Sequence, residues 1–284
     1  MSDASYLSMF IPTCSKYFAL SEVLLPRLLD LIKSTSLNIP IYLSTDDTGI
    51  ISSPLEFRDI YILQGQSKNK EWASLTSNNL QKVPSEYVLL WLDDLIPTNY
   101  MVNELSLQDC LDHVRNENLD CLRIVTFFNK TASRAGFDFY FETLSSYMIA
   151  RGSSIYHLPM LSPYRFSLIP SIWKRSSLIK LLEANKNMSP WQLEKRLTIP
   201  SDLETRFSSV SRSVVGIQNL VVKGKLWPRF AKKLKLPHKV TQSFDRMSRI
   251  QRFLFNMNLA KHIIFLCLIY FPFLLWNVRS SAQN

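Results

Sequence analysis

Apolar and polar positions along this chain follow two rhythms. Short, largely apolar runs cover residues 6–12, 39–43, 60–63 and 87–92, the first broken only by Ser8. Runs of this length read as strands buried on both faces, as in a mostly parallel sheet. Between them, Leu20, Val23, Leu24, Leu28, Leu31 and Ile32 recur at helical spacing. That spacing predicts a helix over 18–32, with Pro26 either kinking it or marking its true start. Further helices are expected over 70–80, 101–114 and 175–184, the last ending in a turn at 185–188. Ser189-Pro190 opens another in the favoured order of cap then proline. Strand character returns at 120–128, 166–173 and 214–222. The aromatic stretch 137–141, broken by Asp138, reads as a less regular strand or a loop. Residues 97–99 read as a reset of the chain after the central strand.

Strands alternating with helices predict an α/β class with a mostly parallel mixed sheet flanked by helices. In such sheets ligands bind beyond the carboxyl ends of the strands. The central run Tyr87-Val88-Leu89-Leu90-Trp91-Leu92 ends there in Asp93-Asp94. Two adjacent carboxylates repel unless a proton or cation intervenes. Hard carboxylate oxygens suit Mg²⁺ or Mn²⁺ bridging to a diphosphate. An acidic pair that only caps the following turn is the bland alternative. If the ligand is a sugar nucleotide, the turn after the first strand offers Thr13, Lys16 and Tyr17, and the second strand ends in Asp46. Lys223 and Lys225 supply countercharge to a diphosphate or begin a basic surface. A base for an acceptor hydroxyl belongs on a separate element, where Glu194 stands, with Asp202 and Glu204 behind it. Trp191 beside it suits stacking on a sugar face. Trp72 and Trp173 read as core or pocket wall, and Trp72 joins the donor-binding set. Arg123, inside an apolar run, needs an acidic or phosphate partner.

Composition narrows these options. With 6 glycines in 284 residues there is no GxGxxG and no GxxxxGK[ST], so a dinucleotide fingerprint and a P-loop lack support. Cys14, Cys110, Cys121 and Cys267 show no zinc-ligand spacing and read as reduced and mostly buried. The four histidines form no cluster. The N-terminus lacks the pattern of a secretory signal. The net charge of +10 is concentrated: residues 223–252 hold ten Lys or Arg against the single acid Asp245. Residues 263–276 are then apolar throughout. This pairing predicts a catalytic body over 1–228 and a basic, apolar helical tail over 229–284 that meets an anionic membrane surface, lying in the interface or crossing it. A helix docked on the protein's own core is the alternative.

Several segments, taken in order, resemble bacterial glycosyltransferases of the GT-A fold, particularly those that build surface polysaccharide such as lipopolysaccharide and capsule. Ile11-Pro12-Thr13-Cys14-Ser15-Lys16-Tyr17 is similar to their opening strand and donor loop. Ile41-Tyr42-Leu43-Ser44-Thr45-Asp46-Asp47 is similar to their second strand with its nucleotide-contacting acid. Residues 86–94 resemble the strand bearing their acidic metal motif, although Asp93-Asp94-Leu95 stands where Asp-x-Asp is common. Residues 167–173 and Ser189-Pro190-Trp191-Gln192-Leu193-Glu194 resemble their acceptor block and base, and residues 219–225 a recurrent late segment. The resemblance covers most of residues 5–228. It implies transfer of a sugar from a nucleotide-diphosphate donor, with inversion, to a saccharide or lipid-linked acceptor at the cytoplasmic face of the inner membrane. A nucleotidyltransferase using the same sheet and metal is a second reading. A non-enzymatic basic protein that binds membrane or nucleic acid is a third. Nucleic acid is the less favoured partner, because the basic run adjoins an apolar segment.

Overall fold

The computed structural model describes residues 6–46, 59–65, 71–99, 105–125, 154–158, 166–196, 199–200, 206–211, 213–222, 224–227, 231–232, 234, 236, 238–248 and 251. Its strands are β1 (Leu7–Pro12), β2 (Ile41–Thr45), β3 (Ile60–Gln64), β4 (Tyr87–Leu90), β5 (Leu95–Asn99), β6 (Cys121–Arg123), β7 (Ile155–His157), β8 (Ser171–Lys174), β9 (Phe207–Val210), β10 (Gly216–Asn219), β11 (Val221–Val222) and β12 (Lys225–Leu226). Its helices are α1 (Ser21–Lys33), α2 (Trp72–Leu80), α3 (Leu107–Asn116), α4 (Arg175–Ala184), α5 (Pro190–Arg196) and α6 (His238–Ser243).

Eight strands form one sheet in the order β3-β2-β1-β4-β8-β6-β9-β7. β1 lies between β2 and β4 and is parallel to both, and β3 continues the parallel set. β8 runs against β4 and β6, β9 lies parallel to β6, and β7 reverses at the edge. The result is the mixed, mostly parallel α/β sheet expected from the pattern. Every residue of β1, β2 and β4 is buried, which explains why their runs lack alternation.

The pleat sends alternate residues to two cores. Met9, Ile11, Leu89 and Trp91 join Leu24, Leu25 and Leu28 of α1 on one side. Phe10, Val88, Leu90 and Trp173 join Leu80 of α2 and Leu178, Leu181 and Leu182 of α4 on the other. Each such leucine contributes about 1.5–3 kcal/mol by leaving water. α1 follows a 3-10 turn at Phe18–Leu20 and begins at Ser21, so Pro26 lies inside the helix and does not mark its start. Ser106 caps α3: its Oγ accepts from Asp109 N at 3.1 Å, and Asp109 accepts from Ser106 N at 2.8 Å.

Several segments differ from the pattern's reading. Residues 97–99, read as a reset, belong to β5, which pairs antiparallel with β10. Pro97 is tolerated there because this is a separate two-stranded ribbon rather than a central position. Residues 214–222 split into β10 and β11, and β11 pairs with β12 around Gly224 at φ 73°. β9 was hidden by Ser208 and Ser209, β7 is only three residues long, and β8 occupies Ser171–Lys174, the end of the 166–173 segment and one residue beyond it. The stretch 137–141 and the apolar run 263–276 lie outside the described residues. Among the described residues no helix is long and apolar enough to cross a membrane.

Candidate active site

The parallel geometry of β1, β2 and β4 delivers three chain exits to one sheet edge. Thr13 follows β1, Asp46 follows β2, and Asp93 and Asp94 follow β4. Backbone bonds bind these exits together: Thr13 N donates to Ser44 O at 2.7 Å, and Trp91 N donates to Phe10 O at 3.0 Å. The acidic turn has its own staple. The indole Nε1 of fully buried Trp91 donates to Leu95 O at 2.6 Å, and Leu95 N donates to Leu92 O at 3.2 Å. Residues 91–95 therefore form a closed turn whose anchor is the core itself.

Asp93 is buried, 9% exposed, and its Oδ2 accepts a 2.6 Å hydrogen bond from Thr13 Oγ1. Asp94 is half-buried beside it, and its backbone carbonyl accepts from Leu220 N at 2.8 Å. Burial holds the Asp93 carboxyl well above the usual carboxylate range, opposed by the Thr13 bond. Burial raises Asp94 as well, and the charges of Asp93 and Glu194 push it further. Without a cation, the pair resists carrying two negative charges. The Tyr17 hydroxyl is pushed up to about 12, by burial first and then by Asp94 and Asp93. Burial also raises the Cys14 thiol.

A cavity of about 170 Å³ opens over this turn. It is lined by Thr13, Cys14 and Tyr17 from the turn after β1, by Asp93 and Asp94 after β4, and by Trp72, Leu168, Trp191 and Glu194 from elsewhere in the chain. Ser189 starts α5 reciprocally with Gln192: Ser189 N donates to Gln192 Oε1 at 2.9 Å, and Gln192 N donates to Ser189 Oγ at 3.4 Å. Leu193 anchors α5 in the core. Trp191 remains 62% exposed. Glu194 Oε1 accepts from Leu168 N at 2.9 Å and from Ser167 Oγ at 3.1 Å, which sets the orientation of the carboxylate.

Of the residues singled out in the sequence, Thr13, Tyr17, Trp72, Asp93, Asp94, Trp191 and Glu194 line this one cavity. Asp46 is outside the lining and accepts from Ser15 N, in the turn after β1, at 2.9 Å. Lys16 and Lys225 are outside the lining. The Lys16 ammonium lies 5.8 Å from the Phe244 ring centroid, and Lys225 sits in β12. Lys223 lies outside the described residues, as do Asp202 and Glu204. Trp173 is core, fully buried between Phe166 and Phe207. Arg123 is buried at the end of β6. Sequence reasoning missed the carboxylate-orienting pair Ser167 and Leu168 N–H, and the Trp91 staple. A backbone donor leaves no trace in residue type, and Trp91 reads only as part of an apolar run.

The residues fit a divalent cation in one specific sense. Among the described residues no group of three or more His, Cys, Asp or Glu side chains could hold a metal ion by itself. Two adjacent carboxylates at a cavity floor suit a hard cation whose remaining ligands are phosphate oxygens and water. Asp93 and Asp94 are the residues that would hold it.

No family model matches the chain, and no curated protein does. Solved structures do superpose on it. Residues 1–349 of S. aureus TarS give a TM-score of 0.44 at 14% identity, covering 74% of this chain and 59% of that one. The mannosyltransferase PcManGT from Pyrobaculum calidifontis, in complex with GDP-Man and Mn²⁺, gives 0.40 at 11% identity, covering 78% and 59%. The catalytic domain of Drosophila beta1,4galactosyltransferase 7, in complex with xylobiose, gives 0.33 at 14% identity, covering 82% and 80%. The chain thus spans less than two thirds of the TarS fragment and of PcManGT.

Proposed function

We propose that the chain is a GT-A-type glycosyltransferase that moves a sugar from a nucleotide-diphosphate donor to a hydroxyl of a saccharide or lipid-linked acceptor, with inversion. The observation that carries this reading is the shared cavity: Glu194 on α5 lines it together with the Asp93-Asp94 turn, near enough for its charge to raise the Asp94 carboxyl. Direct displacement needs a leaving-group site and a base on opposite sides of the reacting carbon. In this reading Thr13 and Tyr17 border the donor, and Asp46 holds the loop that carries them. Trp191 offers an aromatic face to a sugar ring, and Trp72 lines the same cavity as part of the donor-binding set. Glu194 accepts the proton of the acceptor hydroxyl. The acceptor oxygen then bonds to the anomeric carbon as its bond to the diphosphate breaks, and the nucleoside diphosphate departs with the electron pair. A divalent ion on Asp93 and Asp94 would, when bound, offset the charge that builds on that diphosphate.

The basic stretch after residue 222 and the apolar run 263–276 support attachment to an anionic membrane, at the cytoplasmic face of the inner membrane, where a lipid-linked acceptor is presented. The test is sugar-nucleotide turnover by purified full-length protein with Mg²⁺ or Mn²⁺ and candidate acceptors. Wild type should release nucleoside diphosphate, and Asp94→Asn and Glu194→Gln should each lose about 100-fold or more. Release of pyrophosphate would instead mark a nucleotidyltransferase, and equal turnover in both variants would remove these residues from the mechanism.

A further inference from the structure

The segment following β10 forms a strap that touches both halves of the donor site. It starts at the acidic turn, where Leu220 N donates to Asp94 O at 2.8 Å. It turns through β11 and β12, and Trp227 N closes back on Leu220 O at 2.9 Å. The later part of the strap docks on β12: Leu226 N donates to Asp245 O at 2.9 Å and Met247 N to Leu226 O at 3.2 Å. Just before those two contacts, after α6, comes Phe244, 3% exposed.

Phe244 is one ring with two partners in the donor loop. The Tyr17 ring packs edge-on against it at 5.0 Å between centroids. The Lys16 ammonium lies 5.8 Å from its centroid, within cation–π reach. Gly224, in the β11–β12 turn, faces the same ammonium: a Cβ there would stand 3.7 Å from Lys16 Nζ. Tyr17 in turn lines the cavity and feels the charges of Asp94 and Asp93. In the sequence Phe244 is an isolated aromatic in a basic, polar stretch, and nothing about its local pattern predicts a core position.

We propose that Phe244 is a positioning residue for the donor loop. By holding Tyr17 and Lys16 together it fixes the loop against a strap that is also bonded to the Asp94 backbone. The inference rests on reading residues 13–17 as the donor loop, but its test needs no sugar transfer. The loop amides of Tyr17 and Phe18 both donate to Cys14 O, and that of Leu20 donates to Tyr17 O. These amides report opening of the loop by hydrogen exchange.

Phe244→Ala removes a buried ring outright. Phe244→Leu keeps apolar volume and removes only the aromatic edge and face, so it is the sharper variant. In full-length Phe244→Leu, the amides of residues 17–20 should exchange about tenfold faster than in wild type, while those of β4 keep their wild-type rates. In turnover, the KM for the donor should rise severalfold with kcat and the acceptor KM little changed. Wild-type exchange at residues 17–20 would overturn the proposal. An equal rise in β4 would overturn it too, since Phe244 would then support the whole fold and not the loop. Loss of turnover in Asp94→Asn bears on the proposed reaction alone and leaves the exchange result standing.

Discussion

Thr13 Oγ1 donates a 2.6 Å hydrogen bond to Asp93 Oδ2, joining the turn after the first strand to the acidic turn 80 residues later. This bond lowers the Asp93 carboxyl against the rise imposed by burial. Thr13→Val keeps the shape and deletes the donor. Losing about 1 kcal/mol of hydrogen bonding weakens donor binding about fivefold. Steady-state kinetics on Thr13→Val should show that rise in donor KM, and Thr13→Ser should restore it. An unchanged KM in Thr13→Val would separate this bond from donor binding.

The carboxyl pair also makes stability depend on pH. Asp93 and Asp94 are both raised by burial, and Asp94 further by Asp93 and Glu194. The folded chain therefore holds protons that the unfolded chain releases above about pH 4. Where the native state binds more protons, stability falls as pH rises. Without divalent ions, the urea midpoint should drop between about pH 5 and about pH 8. Asp94→Asn should flatten that slope, because one charge of the repelling pair is gone. Mn²⁺ should oppose the drop at the upper pH, since it favours the deprotonated pair.

Ser167 and the Leu168 amide hold one oxygen of Glu194. Ser167→Ala removes one of these two donors and leaves the backbone bond in place. The expected result is a kcat reduced by about three- to tenfold with the donor KM unchanged. Glu194→Gln should cost about 100-fold or more in kcat. Saturating kinetics in both substrates separates these effects.

Trp91 staples the acidic turn through Nε1 to Leu95 O. Trp91→Phe keeps most of the ring and leaves that buried carbonyl without its indole partner. The cost is about 1–3 kcal/mol of stability, visible in urea denaturation. Because the turn carries Asp93 and Asp94, divalent-ion binding should weaken in the same variant.

Much of this arrangement was legible in residue order. The largely apolar runs at 6–12, 39–43 and 87–92 announced strands buried on both faces, and the exits of β1, β2 and β4 then had to meet at one edge. The Ser189-Pro190 start of α5 was readable, and with it the helix that carries Glu194 toward the cavity. β5 was not readable, because Pro97 signals a break and its partner β10 lies more than a hundred residues away. β9 was hidden by Ser208 and Ser209, polar residues that are nonetheless buried in the sheet. Lys16 reads, with Thr13 and Tyr17, as part of the polar turn that meets a nucleotide, and its ammonium lies 5.8 Å from the Phe244 ring centroid, a neighbour that only tertiary packing supplies.

The most direct measurement is a crystal structure of the chain with a nucleotide-sugar donor and Mn²⁺. The ion is expected in direct contact with an oxygen of Asp93 or Asp94, with the diphosphate on that ion and the anomeric carbon between it and Glu194. A donor whose phosphates lie away from those two carboxylates, or whose sugar points away from Glu194, would contradict it.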